Sequence, residues 1–153
     1  MIEEKIRQLG FNLPESPKPL AAYIPALQVD NLVFTAGQLP MINGELKFKG
    51  KVGAEINDLD GSKAAEISAL NCLSVIKSVI GNLNLIERII KLTVFVNSAD
   101  GFSNQPKIAN GASELIVKIF GESGKHVRSA VGVNELPLNA PVEIEMIVKI
   151  KSL

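Results

Sequence analysis

Val142-Glu143-Ile144-Glu145-Met146-Ile147-Val148-Lys149-Ile150 alternates without a break, and its alternation decides the fold. Successive side chains of a strand point to opposite faces, so Val142, Ile144, Met146, Val148 and Ile150 share one face. Glu143, Glu145, Ile147 and Lys149 share the other. The wholly apolar face calls for a cover of helices, which puts Glu143 and Glu145 on the uncovered side. Just upstream, residues 127–133 read as a second closing strand, expected beside the last one, on which Arg128, Ala130 and Gly132 share a face. An arginine followed on its own face by two tiny residues leaves open space beside the guanidinium, which suits a small anionic ligand.

Two helices can supply the cover. Asp58 or Asp60 can cap a long helix that runs to about Ile80 and stops at Gly81. Ala65, Ala69, Cys72, Leu73, Ile76 and Ile80 follow helical spacing. Ile67, Leu70, Val75 and Val79 widen that stripe, so this helix is expected to be covered on more than one side. Pro106, after Ser103-Asn104, marks the start of a second helix with Ile108, Ala112, Leu115, Ile116 and Ile119 as its buried stripe and Gly121 as its end. Between the helices, residues 85–96 carry a β-branched strand.

Residues 2–9 predict a short amphipathic helix stopped by Gly10, followed by a proline-rich connector over 13–19. Strands are expected at 26–29 and 32–36, the second ended by Gly37-Gln38-Leu39-Pro40, and Asn43-Gly44 signals a hairpin ahead of 45–49. The order is two or three strands, helix, strand, helix, two strands. That is an α+β protein with both long helices on one face of a mixed sheet. No repeat or second boundary interrupts residues 1–153, which read as one domain.

Hydrophobic residues make up 46% of the chain and charged residues 21%, which excludes a disordered polymer. Sixteen basic and sixteen acidic residues cancel, so the chain lacks the positive field that draws nucleic acid. Cys72 is the only cysteine and His126 the only histidine, which leaves no intrachain disulfide and no usual zinc set; neither metal nor cofactor is expected. Glu3, Glu4 and Lys5 break any leader-like apolar run, and no stretch approaches a membrane span, so a cytoplasmic protein is expected.

Arg128 is the first residue to single out, because its planar fork can grip a carboxylate through two charge-assisted hydrogen bonds. Sequence pattern alone favours the plainer reading, a solvated strand-end arginine. Glu143 could activate a water beside such a ligand; a surface carboxylate or ion pair is again the plainer reading. Gly121-Glu122-Ser123-Gly124-Lys125-His126 has a phosphate-loop look but lacks the loop's spacing, its hydroxyl and a preceding strand. His126 reads as a loop histidine, Cys72 as a small core hydrophobe, and Lys47, Lys49 and Lys51 as a solubilising hairpin edge.

Taken as one block, Arg128-Ser129-Ala130-Val131-Gly132-Val133, Leu136-Pro137 and Val142-Glu143-Ile144-Glu145 is similar to the C-terminal signature of the RidA (YjgF-like) family. Asn31-Leu32-Val33-Phe34-Thr35-Ala36-Gly37-Gln38-Leu39-Pro40 resembles that family's early strand with its glycine-glutamine pair, and Leu92-Thr93-Val94-Phe95-Val96 its central strand. The resemblance implies a chorismate mutase-like sheet backed by two helices and a homotrimer with its sites in the clefts between subunits. It implies hydrolysis of reactive imine or enamine acids, such as 2-aminoacrylate, to 2-keto acids and ammonium, without cofactor or metal. Carried over by position, Arg128 binds the substrate carboxylate, Glu143 assists the attacking water, Tyr23 closes the pocket, and Gly37, Ala130 and Asn110 line it. Ala130 stands where many members have cysteine and Gly132 where many have an acid. Residues 41–58 and the N-terminus are longer than in compact members. These departures mark a divergent branch.

Two other readings of the same residues remain open. One is a non-catalytic trimer that binds small carboxylates for regulation. The other is the ribonuclease or translation-inhibitor role whose label the family often carries; zero net charge and the lack of a histidine pair or aromatic platform argue against it.

Overall fold

A computed structural model describes residues 1–16, 18 and 22–152; Pro17 and Pro19 of the proline-rich connector fall outside them. In chain order the elements are α1 (Ile2–Gln8), β1 (Ala26–Val29), β2 (Leu32–Thr35), β3 (Met41–Ile42), β4 (Glu45–Leu46), α2 (Asp58–Ile80), β5 (Ile86–Asn97), α3 (Gln105–Phe120), β6 (Val127–Val133) and β7 (Val142–Ile150). The main sheet runs β1-β2-β7-β5-β6, with β3 and β4 forming a separate small hairpin. β5 and β6 are parallel because α3 carries the chain back between them, while the other main-sheet pairs are antiparallel.

One expectation fails here. β6 and β7 are consecutive but not neighbours, since β5 lies between them. β5 is the longest strand and pairs along most of its length on both sides, so it takes a place inside the sheet and leaves β6 as an edge. The cap of α2 also moves. Asn57, not Asp58 or Asp60, accepts the hydrogen bond from the Asp60 amide, at 2.8 Å. The two aspartates fall in the first turn, where negative charge favours the helix dipole.

α2 and α3 pack together on one face of the sheet, and burial along α2 is unbroken from residue 68 to 76. The outer side of α2 is covered by the chain's own N-terminal segment. Ser74 Oγ donates to the Pro14 carbonyl at 2.5 Å, Lys77 pairs with Glu3 at 3.0 Å, and Phe11 and Leu13 pack against the core. Among the described residues the opposite face of the sheet has no such cover. Leu27, Phe34, Val127 and Val131 are exposed there.

β2 and β7 fall out of step in a way that shapes the site. Phe34 pairs with Ile147, yet Gln38 bridges Ile144, so β2 carries one extra residue between those points. Gln38 and Ile144 exchange two backbone hydrogen bonds, of 2.7 and 3.0 Å. Inside the bulge, Thr35 Oγ1 accepts from the Met146 amide at 2.9 Å, which replaces the missing ladder bond. The result is that Gly37 lies against Glu143.

Candidate functional site

Glu143 sits near the start of β7 on the uncovered face, with its carboxylate directly over Gly37. A Cβ added at Gly37 would lie 2.0 Å from Glu143 Oε1 and 2.8 Å from its Cδ. The bare glycine is thus what lets the carboxylate rest there. Among the described residues no hydrogen bond or ion pair reaches that carboxylate. Burial, and then the like charge of Glu145, push Glu143 above the ordinary carboxylate range.

Glu143 and Gly37 form part of a cavity of about 630 Å³ whose rim includes Tyr23. Tyr23 is 62% exposed, so its ring is free to meet a ligand or a neighbour. Residues 14–16 form one wall and the β3–β4 hairpin another. Asn71 fixes the hairpin side, its amide donating to the carbonyls of Leu39 and Met41 at 2.9 and 3.0 Å. Leu138 completes the lining from a backbone held at φ 58°, in the left-handed region.

Arg128 lies elsewhere. Its register partner on β5 is Leu92, whose own partner on β7 is Met146, and both are buried under the helices. Arg128 therefore emerges on the helix-covered face, at the sheet edge. Its Nη1 donates to Asn110 Oδ1 at 2.9 Å and to Ser113 Oγ at 3.1 Å, both on α3. Among the described residues nothing engages the rest of the guanidinium. Ser113 Oγ lies 3.0 Å from His126 Nε2, and His126 Nδ1 lies 2.6 Å from the Gly124 carbonyl. A carbonyl only accepts, so Nδ1 carries the proton; in neutral His126, Nε2 then accepts the Ser113 hydroxyl. Burial, with a smaller contribution from Arg128, lowers the His126 pKa from its usual value despite the bond to Gly124.

The predicted site residues thus divide into two groups. Tyr23, Gly37 and Glu143 share one cavity; Arg128 and Asn110 meet under the other face, with Ala130 beside them partly packed into the core. Two strand spacings and three residues of rise separate the Arg128 and Glu143 backbones by roughly 14 Å, on opposite faces of the sheet. The open space expected above Gly132 is taken as well, since a Cβ there would meet Gln105 Nε2 at 2.8 Å and Ser98 Oγ at 3.0 Å. Asn110 serves Arg128 directly. Sequence reading missed Ser113, and nothing in the pattern of an amphipathic helix distinguishes that serine from any other.

The remaining singled-out residues have structural roles. Cys72 is fully buried, its thiol pushed up to about 12, and it donates to the Ile144 carbonyl at 3.3 Å. Gly121–Gly124 is a tight turn at the end of α3, and Lys125 pairs with Glu122 at 2.7 Å. Lys51 is not a free edge charge: it reaches Asn97 Oδ1 at 2.9 Å and also the Asn134 carbonyl and Glu135, tying down the loop before β7. Among the described residues no group of three or more His, Cys, Asp or Glu could hold a metal, and no helix is long and apolar enough to cross a membrane.

Residues 3–150 match the family model described as "YjgF/chorismate mutase-like, putative endoribonuclease". The chain belongs to this YjgF family. Its α+β architecture is the family's chorismate mutase-like arrangement. Protein TCP17 of Trypanosoma cruzi is 36% identical over 99% of this chain and 95% of its own length. The 2-iminobutanoate/2-iminopropanoate deaminase of Dermatophagoides farinae is 31% identical over 92% of this chain and 95% of its own. The crystal structure of Atu1372 from Agrobacterium tumefaciens, a protein of unknown function, superposes with a TM-score of 0.93 at 42% identity, covering 98% of this chain and 92% of that one.

Proposed function

We propose that this YjgF-family chain is a cytoplasmic, cofactor-independent deaminase that hydrolyses reactive imine or enamine acids to 2-keto acids and ammonium. The observation that carries the reading is the pairing of an unneutralised, partly buried carboxylate at Glu143 with a cavity beside it large enough for a small acid. The deaminase named among its relatives supports the same chemistry. Glu143 takes a proton from water as the oxygen adds to the imine carbon. The proton passes to the nitrogen to give the amino alcohol, Glu143 then moves the hydroxyl proton to that same nitrogen, and as the carbonyl forms the C–N bond breaks and ammonia leaves, to be protonated to ammonium in water.

Arg128 supplies the carboxylate grip, and it does so from a second copy. Arg128 and Glu143 of one chain face opposite ways about 14 Å apart, too far to touch one small ligand. A closed ring of three chains that buries the uncovered sheet face brings the Arg128 edge of one subunit to the Glu143 cavity of the next. Tyr23, on the exposed rim, closes over the ligand.

The test is turnover of imines generated in situ by an amino-acid oxidase. Arg128→Lys keeps the charge but loses the two-point grip, worth roughly ten- to a hundredfold in kcat/KM, and Arg128→Ala loses more. Glu143→Gln lowers kcat with little effect on binding. Wild-type rates in Arg128→Ala would remove this mechanism. Carboxylate binding without turnover in the wild type would instead leave a regulatory binding protein.

A further inference from the structure

We propose that Ser113 and His126 are positioning residues, a two-member relay that presets the Arg128 guanidinium for carboxylate capture. The inference rests on the deaminase reading of Arg128 as the anchor, and it assigns work to a histidine and a serine outside that reading.

The geometry is a continuous chain. Gly124 fixes His126 through Nδ1 at 2.6 Å, Nε2 faces Ser113 Oγ at 3.0 Å, and Ser113 Oγ faces Arg128 Nη1 at 3.1 Å. Each proton has one place. With Nδ1–H committed to the carbonyl, Nε2 takes the serine hydrogen, and the serine oxygen is left with its lone pairs toward the arginine. Asn110 Oδ1 accepts from the same Nη1 at 2.9 Å, so two acceptors hold one corner of the guanidinium. Among the described residues no hydrogen bond or ion pair engages the other N–H groups, which leaves them for a carboxylate. A long arginine loses rotamer freedom on binding a ligand, and a guanidinium already held at one corner loses less.

The state of His126 matters for the same reason. Protonation turns Nε2 into a donor, forces the Ser113 hydrogen to turn away, and sets a second cation near Arg128. Among the described residues that face the imidazole, Arg128 lies on β6, Ser113 on α3 and the Gly124 carbonyl in the turn; Arg128 is the charged group that bears on it. Its pKa lies below the usual 6.5, so the neutral form prevails above that value. Carboxylate capture is therefore expected to hold steady at neutral pH and to weaken as pH falls through the lowered pKa.

The experiment compares wild type with Ser113→Ala, His126→Leu and His126→Gln, after equal size and melting temperature are established. Two readouts are taken: kcat and KM on imines generated in situ, and the Kd of 2-oxobutanoate, a non-reacting keto acid, by calorimetry. Ser113→Ala and His126→Leu should raise KM and Kd about tenfold with kcat within about twofold, the loss of one hydrogen bond to a charged group. His126→Gln, whose carbonyl can still accept from Ser113, should recover most of that affinity and lose the acid-side weakening. Unchanged KM and Kd in Ser113→Ala and His126→Leu overturn the relay, and so does a uniform fall in kcat that His126→Gln fails to rescue. Absent turnover with keto-acid binding that these variants still weaken supports the relay and sinks only the deaminase reading. No binding by the wild type sinks both.

Discussion

Gly37→Ala places one methyl group where the carboxylate of Glu143 now rests. The new Cβ would stand 2.0 Å from Oε1, and ordinary contact begins near 3.4 Å, so the carboxylate must retreat by about 1.4 Å. The backbone tolerates alanine, because Gly37 is not among the glycines with positive φ. The clash is with the far end of a side chain on a partly open face, so an off-rotamer glutamate at a cost of about 0.5–1.5 kcal/mol absorbs it and the fold survives. A displacement of that size at a catalytic group costs on the order of a hundredfold in rate. We therefore expect kcat for imine hydrolysis to fall about a hundredfold in Gly37→Ala while the Kd for 2-oxobutanoate changes little. A double-mutant cycle makes the cause explicit. If Gly37 acts only through Glu143, Gly37→Ala on top of Glu143→Gln adds nothing to the loss. A folded Gly37→Ala protein turning over within twofold of wild type would refute the placement of Glu143 at the chemistry; a full further loss in the double mutant would show that Gly37 acts by another route.

Burial and Glu145 both raise the Glu143 pKa, and the proposed mechanism uses Glu143 as an ionised base, so activity is expected to fall as pH drops through its pKa. Glu145→Gln removes the like charge, so the acidic limb of kcat should move to lower pH, and a limb that stays put counts against Glu143 as the base. Light scattering at micromolar concentration should give three times the 16.4 kDa chain mass, and a stable monomer would end the inter-subunit site.

Periodicity made the sheet legible because it reports which side of an element is buried. The β7 alternation assigned Glu143 and Glu145 to the uncovered face, and β6 and β7 begin and end where the pattern does. Alternation says nothing about which strand lies beside which. The strand order turned on β5, whose two-sided pairing is a tertiary fact, and without it Arg128 and Glu143 looked like near neighbours on adjacent strands. The wide apolar girth of α2 was legible too, but what covers it was not. The N-terminal segment does so through Ser74, Lys77, Phe11 and Leu13, so only the uncovered sheet face argues for association. Local polar contacts were the least legible. That Asn110 and Ser113 reach Arg128 depends on how α3 crosses β6, and helical spacing carries no such information.

The division of the site also ties ionisation to assembly. Among the described residues of one chain nothing cationic bears on Glu143, and burial and Glu145 both oppose its charge. In the proposed ring, an Arg128 arriving from a neighbouring copy would supply the opposite charge and lower the pKa that burial has raised. By linkage, the same interaction makes the ionised glutamate favour the assembled state. A deaminase built as proposed would hold its base in working form only where its carboxylate grip is also present, so water activation and substrate capture would be properties of the interface. That coupling would give a physical reason for a site split across two faces of a sheet to persist, when a single cavity could hold both groups.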